Sequence, residues 1–264
     1  MSRALLIGGG GFLGAWIARK LDAEGWRLRV FDLAPAPPIF REIAPELVDK
    51  VEWASGDVVD GGALRAADEG CDGVVVLAGL LTPACRADPV LGAQVNLIGT
   101  LNAFEAARKI GCKRLVYTSS AGVYGPHDRS EPHPVTHYGA FKLAVEGSAR
   151  AYGLDHGLAS IGFRPFIVYG PGRETGVSAG PSLACRAAAR GEAYHIGYSG
   201  DVGLVFVENL AELYARALRR SPNGAEVFNV TGARAGNDEV IAGIRKVAPD
   251  AAISFSGPDL ASHR

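Results

Sequence analysis

A run of four glycines between a strand-like and a helix-like segment, near the start of the chain, limits the fold more than any other feature. Ala4-Leu5-Leu6-Ile7 is a short apolar run, and Gly8-Gly9-Gly10-Gly11-Phe12-Leu13-Gly14 follows it at once. A helical pattern, residues 12–24, starts inside that run. The glycines satisfy G-x-G-x-x-G (Gly9, Gly11, Gly14) and also G-x-x-G-x-x-G (Gly8, Gly11, Gly14). At such a junction glycine lets the chain turn tightly and bring backbone N–H groups up to a pyrophosphate, whose charge the helix N-terminus stabilises. Phe31-Asp32 closes the next strand-like run, and Asp32 stands 18 residues beyond Gly14. That is close to the spacing of a carboxylate that binds the adenosine ribose hydroxyls. It would repel a 2′-phosphate, and no Arg or Lys follows it closely, so NAD is expected over NADP. Four adjacent glycines alone would also suit a plain flexible turn; the strand, helix and acid around them favour a dinucleotide site.

The rest of the chain extends the same pattern. Apolar runs at residues 4–7, 27–31, 51–55, 73–77, 114–118 and 159–163 alternate with helical patterns, clearest at 12–24, 91–110 and 138–152. Near-continuous apolar strands separated by helices predict an α/β fold, a Rossmann-type doubly wound parallel sheet covered on both faces. Pro35, Pro37 and Pro38 mark a surface loop after the second strand. Beyond about residue 165 the texture becomes Gly- and Pro-rich, with helices at 179–190 and 210–219 and short strands near Val205 and Phe228. The expected organisation is an NAD-binding core over residues 1–165 and a smaller substrate-facing part over 166–264, interleaved with it.

Composition narrows the partners. Hydrophobic residues make up 48% of the 264, and the net charge is −1. This chain buries a sizeable core and has no electrostatic footprint for nucleic acid or an anionic membrane. Cys71, Cys85, Cys112 and Cys185 are scattered without metal-ligand spacing, so reduced thiols are expected. No leader-like or membrane-length segment is evident, which makes the cytoplasm the expected location. His127, His133 and His137 cluster before Tyr138, but no carboxylates accompany them; they read as exposed loop histidines, and no metal is expected.

Tyr138 and Lys142 lie at i and i+4, on one face of a helix. A phenol ordinarily titrates near pH 10 and is a poor base, but a neighbouring cation favours the phenolate and proton exchange with a substrate hydroxyl. Ser119-Ser120 follow the strand at 114–118 at its carboxyl end, where α/β sheets place ligands. Without those serines the pair would read as an exposed helix pair.

With these residues in view, the chain resembles the extended short-chain dehydrogenase/reductase family, the NAD-dependent epimerases and dehydratases, over roughly residues 3–232. Gly8 to Gly14 is similar to the family's T-G-G-x-G-F-[IL]-G turn, with Ile7 replacing Thr. Gly56-Asp57-Val58 resembles the segment beside adenine, and Leu77-Ala78-Gly79 the strand end lining the cofactor. Asn96-Leu97-Ile98-Gly99-Thr100-Leu101-Asn102 resembles N-x-x-G-T-x-N. Residues 116–125 are similar to the active-site serine strand, and Arg164-Pro165 and Tyr169-Gly170-Pro171-Gly172 to the loop beside the nicotinamide. The resemblance implies Ser120, Tyr138 and Lys142 as catalytic residues. It implies a cofactor set of Gly8, Gly11, Phe12, Leu13, Gly14, Asp32, Asp57, Val58, Leu77, Ala78, Gly79, Asn96, Tyr138, Lys142 and Pro165. It also implies NAD as cofactor and a homodimer built on the helices at 91–110 and 138–152.

The departures from the family pattern bear on substrate. Ala121-Gly122 stand where dehydratases carry Asp-Glu, which speaks against elimination of water. Ile167 replaces a substrate-binding Asn, and Val202-Gly203 replaces an Arg-Asp pair that meets a substrate phosphate. A diphosphonucleoside then lacks its partners. The expected activity is hydride transfer between NAD and a small polyol, sugar acid or hydroxy acid, with an NAD-retaining nucleotide-sugar 4-epimerase as the alternative. Ser120, Ile167 and Arg173 are the expected substrate contacts, Arg173 for an anionic group. Thr175, Ser178 and Ser182 share that segment.

Overall fold

The computed structural model describes residues 2–125, 131–220 and 222–260. Its strands are β1 (Arg3–Ile7), β2 (Arg27–Asp32), β3 (Glu52–Ser55), β4 (Gly73–Val76), β5 (Leu115–Thr118), β6 (Ser160–Pro165), β7 (Ile167–Tyr169), β8 (Tyr194–Ile196), β9 (Val202–Phe206), β10 (Ala225–Val230), β11 (Ala233–Ala235) and β12 (Ile253–Phe255). Its helices are α1 (Phe12–Ala23), α2 (Pro38–Ile43), α3 (Gly61–Asp68), α4 (Thr82–Ala87), α5 (Pro89–Ala93), α6 (Gly99–Lys109), α7 (His137–His156), α8 (Gly180–Arg190), α9 (Val207–Leu218) and α10 (Asn237–Val247). Seven strands form one sheet in the order β10-β6-β5-β4-β1-β2-β3, every pair parallel. Chain direction across the sheet reverses between β1 and β4, the switch point at which open α/β sheets bind ligands.

The sheet is apolar on both faces because its strands alternate within a continuous hydrophobic run. In β1, Ala4 and Leu6 pack with Ile17 and Leu21 of α1 and Leu210 and Tyr214 of α9. Leu5 and Ile7 turn the other way, against Leu64 of α3, Phe104 of α6 and Val145 of α7. All four β1 side chains are at most 1% exposed. Full burial of a Leu or Ile contributes about 1.5–3 kcal/mol, so this strand anchors both layers.

Several elements differ from the sequence reading. α2 begins at Pro38, inside the expected loop, because proline suits a first helical position whose N–H has no intrahelical partner. α3 went unread, although Asp60 caps it: its Oδ1 accepts from the N–H groups of Gly62 at 2.8 Å and Ala63 at 3.1 Å. The helix expected over 91–110 is three pieces, α5, a π turn at Gln94–Ile98, and α6.

Beyond residue 165 the chain serves two bodies. β10 and α9 complete the main sheet and its cover. The remainder builds a small core from Ile167, Ala184, Ile196, Val202, Ile241 and Ile253 beneath two short sheets, β11-β9-β7 and β12-β8. Among the described residues, no helix is long and apolar enough to cross a membrane.

Candidate active site

The glycine turn follows β1 directly and is shaped by contacts that exclude side chains. Gly8 has φ +74°, and a Cβ there would lie 2.5 Å from the Ala78 nitrogen. A Cβ on Gly14 would lie 2.3 Å from the Gly9 carbonyl oxygen, so α1 can approach the turn only with glycine at that position. A Cβ on Gly11, by contrast, would have nothing nearer than 3.8 Å. Gly11 is the N-cap of α1 and no side chain caps the helix. The first-turn N–H groups therefore face an open space, the usual anion site of a helix N-terminus. Asp32, at the end of β2, accepts from the Gly10 N–H at 2.8 Å through Oδ2 and from the Leu33 N–H at 2.8 Å through Oδ1. This holds its carboxylate at the mouth of the turn.

A cleft of about 190 Å³ opens where β1, β4, β5 and β6 end. It brings together Phe12, Leu13, Leu77, Gly79, Ser120, Tyr138, Lys142, Pro165 and Arg173 of the sequence reading, with Thr82, Phe166, Val168 and Ser178 beside them. Ser120 caps a short 3₁₀ turn, its Oγ accepting from the Gly122 N–H at 3.0 Å, which leaves the hydroxyl proton free to donate to Tyr138. α7 starts at the same turn. Thr136 caps it by accepting from the Gly139 N–H at 3.0 Å. A Cβ on Gly139 would sit 2.0 Å from the Gly122 carbonyl oxygen. The glycine after Tyr138 is thus what lets α7 press against the serine turn, a requirement the Tyr–Lys spacing alone does not reveal.

Lys142 is 4% exposed, and its Nζ donates to the Thr118 carbonyl at 2.8 Å and stands 5.7 Å from the Tyr138 ring centre. Burial drives its ammonium down to about 8 from its usual range. Burial also raises the half-buried Tyr138 phenol, while the hydrogen bond from Ser120 and the charge of Arg173 draw it back. Tyr138 therefore carries its proton at neutral pH in this state.

Behind the site runs a buried polar network that the sequence did not announce. Glu146, one turn past Lys142, is fully buried and takes Arg164 in a two-pronged pair, Nε to Oε1 at 2.8 Å and Nη2 to Oε2 at 2.5 Å. Ser119 donates a short hydrogen bond to the same carboxylate. Arg164 also donates to Tyr124 Oη at 2.6 Å, and Tyr124 donates to Asn229 Oδ1 at 3.0 Å. The network ties the residue before Ser120 to α7, β6 and β10. An acid four residues beyond Lys142, on the same helix face, was the available signal.

Two expected contacts lie elsewhere. Ile167 is 1% exposed in the small C-terminal core. Strand alternation gives Phe166 and Val168 to the cleft instead, so Ile167 is not a substrate contact. Asn96 is fully buried in the π turn behind Gly79, where its Nδ2 donates to the Gly92 carbonyl at 3.0 Å and the Leu80 carbonyl at 3.2 Å. It backs the cleft wall rather than lining it. Val58 turns into the core against Gly99, leaving Asp57 exposed at the sheet end with its Oδ1 on the Val59 N–H at 3.1 Å. His133 and His137 are exposed, and His127 lies outside the described residues. Cys71, Cys85 and Cys112 are buried free thiols and Cys185 is an exposed one.

Comparison with known proteins agrees with this geometry. The chain is 30% identical over 241 residues to the UDP-glucose 4-epimerase of Mycolicibacterium smegmatis, covering 86% of this chain and 76% of that one. It is 29% identical over 170 residues to the uronate dehydrogenase of Pseudomonas putida, covering 62% and 60% respectively. The crystal structure of Thermus thermophilus UDP-glucose 4-epimerase in complex with NAD superposes with a TM-score of 0.83 at 28% identity, covering 97% of this chain and 86% of that one. With the profile of that family matching residues 4–231, from β1 to the end of β10, this chain is an enzyme of the NAD-dependent epimerase/dehydratase family.

Proposed function

We propose that the protein is an NAD-dependent dehydrogenase of a small, non-nucleotide hydroxyl compound. The observation that carries this reading is the cleft itself. Its volume, about 190 Å³, lies below the roughly 300–1,000 Å³ of sites that enclose drug-sized ligands. Among the described residues its cations are Lys142, whose Nζ also donates to the Thr118 carbonyl, and Arg173. The position where a phosphate-binding Arg would stand is taken by Val202, 1% exposed in the small C-terminal core. A sugar-nucleotide diphosphate would enter such a cleft with too few partners for its charge.

The dinucleotide fits the residues present. Gly8, Gly11 and Gly14 with the uncapped N-terminus of α1 would hold its pyrophosphate, Asp32 its adenosine ribose, and Lys142 its nicotinamide ribose. When bound, it supplies hydride acceptance at the nicotinamide. The protein's own part is proton handling and orientation. Ser120 donates to the reacting oxygen, and Tyr138 exchanges that oxygen's proton. Lys142, beneath the ring, favours the phenolate each time Tyr138 gives its proton up. Oxidation of the carbinol thus yields a carbonyl, one reduced cofactor and one proton delivered through Tyr138.

Absorbance of reduced NAD, read across a panel of hydroxy acids, sugar acids, polyols and UDP- and GDP-sugars, tests the reading. Tyr138→Phe should lower turnover by about 10²–10⁴-fold while NAD affinity holds. A second reading, an epimerase that retains its NAD, draws on the UDP-glucose 4-epimerases among the similar proteins. Interconversion of sugar epimers without net reduced cofactor would establish it and displace the first.

A further inference from the structure

Among the described residues, no acid neutralises Arg173. Its Nε is buried without a hydrogen-bond partner, and among the described residues it makes no ion pair. The Arg173 backbone N–H donates to the Gly170 carbonyl at 3.2 Å, and the guanidinium carbon lies 6.0 Å from the Phe12 ring centre. Gly176 makes room for it: a Cβ there would come within 3.0 Å of Nη2. Among the described residues no Asp, Glu or His lines the cleft, and the other cation there, Lys142, faces the Thr118 carbonyl and the Tyr138 ring. Arg186, close by in sequence, pairs with Glu174 at 2.6 Å. A guanidinium held in place, half-buried and unpaired in a catalytic cleft is built for an anion that arrives from outside, and its planar fork matches a carboxylate.

We infer that the substrate is a hydroxy acid whose carboxylate docks on Arg173 while its carbinol faces Ser120 and Tyr138. The inference rests on the dehydrogenase reading above and selects the acids from among the small hydroxyl compounds. Arg173, Ser120 and Tyr138 line the same small cleft, so both ends of the substrate sit within it. A competing occupant is the cofactor's own pyrophosphate, since Phe12 opens the helix that follows the glycine turn.

The test uses the intact enzyme, with Arg173→Met and Arg173→Lys as variants and urea unfolding to verify that each is folded. Quenching of NADH fluorescence reports binding of tartrate and malate to the enzyme–NADH complex, and of NADH itself. Expected are saturable binding of at least one of the two acids to the wild type, loss by tenfold or more in Arg173→Met, partial recovery in Arg173→Lys, and NADH affinity within about twofold throughout. Steady-state turnover should show acids preferred over the matching polyols or methyl esters, and that preference erased in Arg173→Met. If NADH affinity falls as much as acid affinity, Arg173 serves the pyrophosphate and the inference is wrong. Absence of acid binding to the wild-type complex overturns it equally. Turnover of polyols but not acids would sink this inference and leave the dehydrogenase reading standing, whereas epimerisation without net NADH would remove that reading itself.

Discussion

Replacing Glu146 with Gln isolates the buried charge behind the catalytic serine with almost no change of volume. Glu146 is 0% exposed and the Arg164 side chain 15%, so neither water nor another acid can substitute. The variant leaves a guanidinium without its counter-charge, and its amide N–H₂ group faces Arg164 donors or the Ser119 hydroxyl. Breaking such a pair from one side costs about 3–5 kcal/mol. At roughly 2–4 °C per kcal/mol for a chain of this size, the melting temperature should fall by about 6–20 °C. Removing both charges, as Glu146→Leu with Arg164→Met, eliminates the uncompensated ion. Tyr124 keeps Asn229 as acceptor, and only the Ser119 hydroxyl is orphaned. An orphaned buried hydroxyl costs about 1–3 kcal/mol, so the double variant should be more stable than Glu146→Gln. Urea unfolding followed by fluorescence of the three tryptophans, with circular dichroism as a second probe, gives both numbers. A loss under about 1 kcal/mol in Glu146→Gln, or a double variant weaker than the single, would refute the reasoning.

Two further outcomes follow from the site. Asp32→Ala should narrow the preference for NAD over NADP by on the order of tenfold, because the like charge facing a 2′-phosphate is gone; titration of both cofactors measures it, and an unchanged ratio would mean that Asp32 does not face the ribose. Lys142→Met should abolish turnover yet melt higher at pH 7. Lys142 has a folded value near 8 and an unfolded value near 10.5, so the folded state binds fewer protons between them and wild-type stability rises with pH across that window. The stability gap between variant and wild type should therefore shrink from about pH 8 to about pH 10.5, and a gap independent of pH in thermal melts would contradict the assignment.

Local sequence patterns carried most of the sheet and the site. β1, β4 and β5 are near-continuous apolar runs, β2 and β6 are interrupted only by single polar residues, and the strand–glycine–helix junction has few other physical uses, so most of the sheet and the turn can be read directly. Short helices such as α2 and α3, six and eight residues long, span too few turns to show a period, and the signals for these two are single residues at their starts, Pro38 and Asp60. The π turn at Gln94–Ile98 hides within a longer helical pattern because one extra residue in a turn leaves the hydrophobic spacing nearly intact. Ile167 was misassigned because family position does not fix which face of a three-residue strand a side chain takes. The Glu146–Arg164 pair joins residues 18 apart, and no local rule connects them.

The strand that closes the main sheet, β10, leaves the ribosome long after its neighbour β6. About 65 residues separate Pro165 from Val230, which at about 5–20 residues per second takes roughly 3–13 s of synthesis. During that interval six strands exist with the β10-facing backbone groups of Ser160–Pro165 unpaired. The apolar face later covered by Leu210, Tyr214 and Leu218 of α9 is bare for most of it. An open edge beside an uncovered face is the usual template for misassembly. The nascent chain is therefore most vulnerable before α9 and β10 arrive, and synonymous codon changes that slow translation of residues 166–230 should lower soluble yield without altering a single residue of the active site.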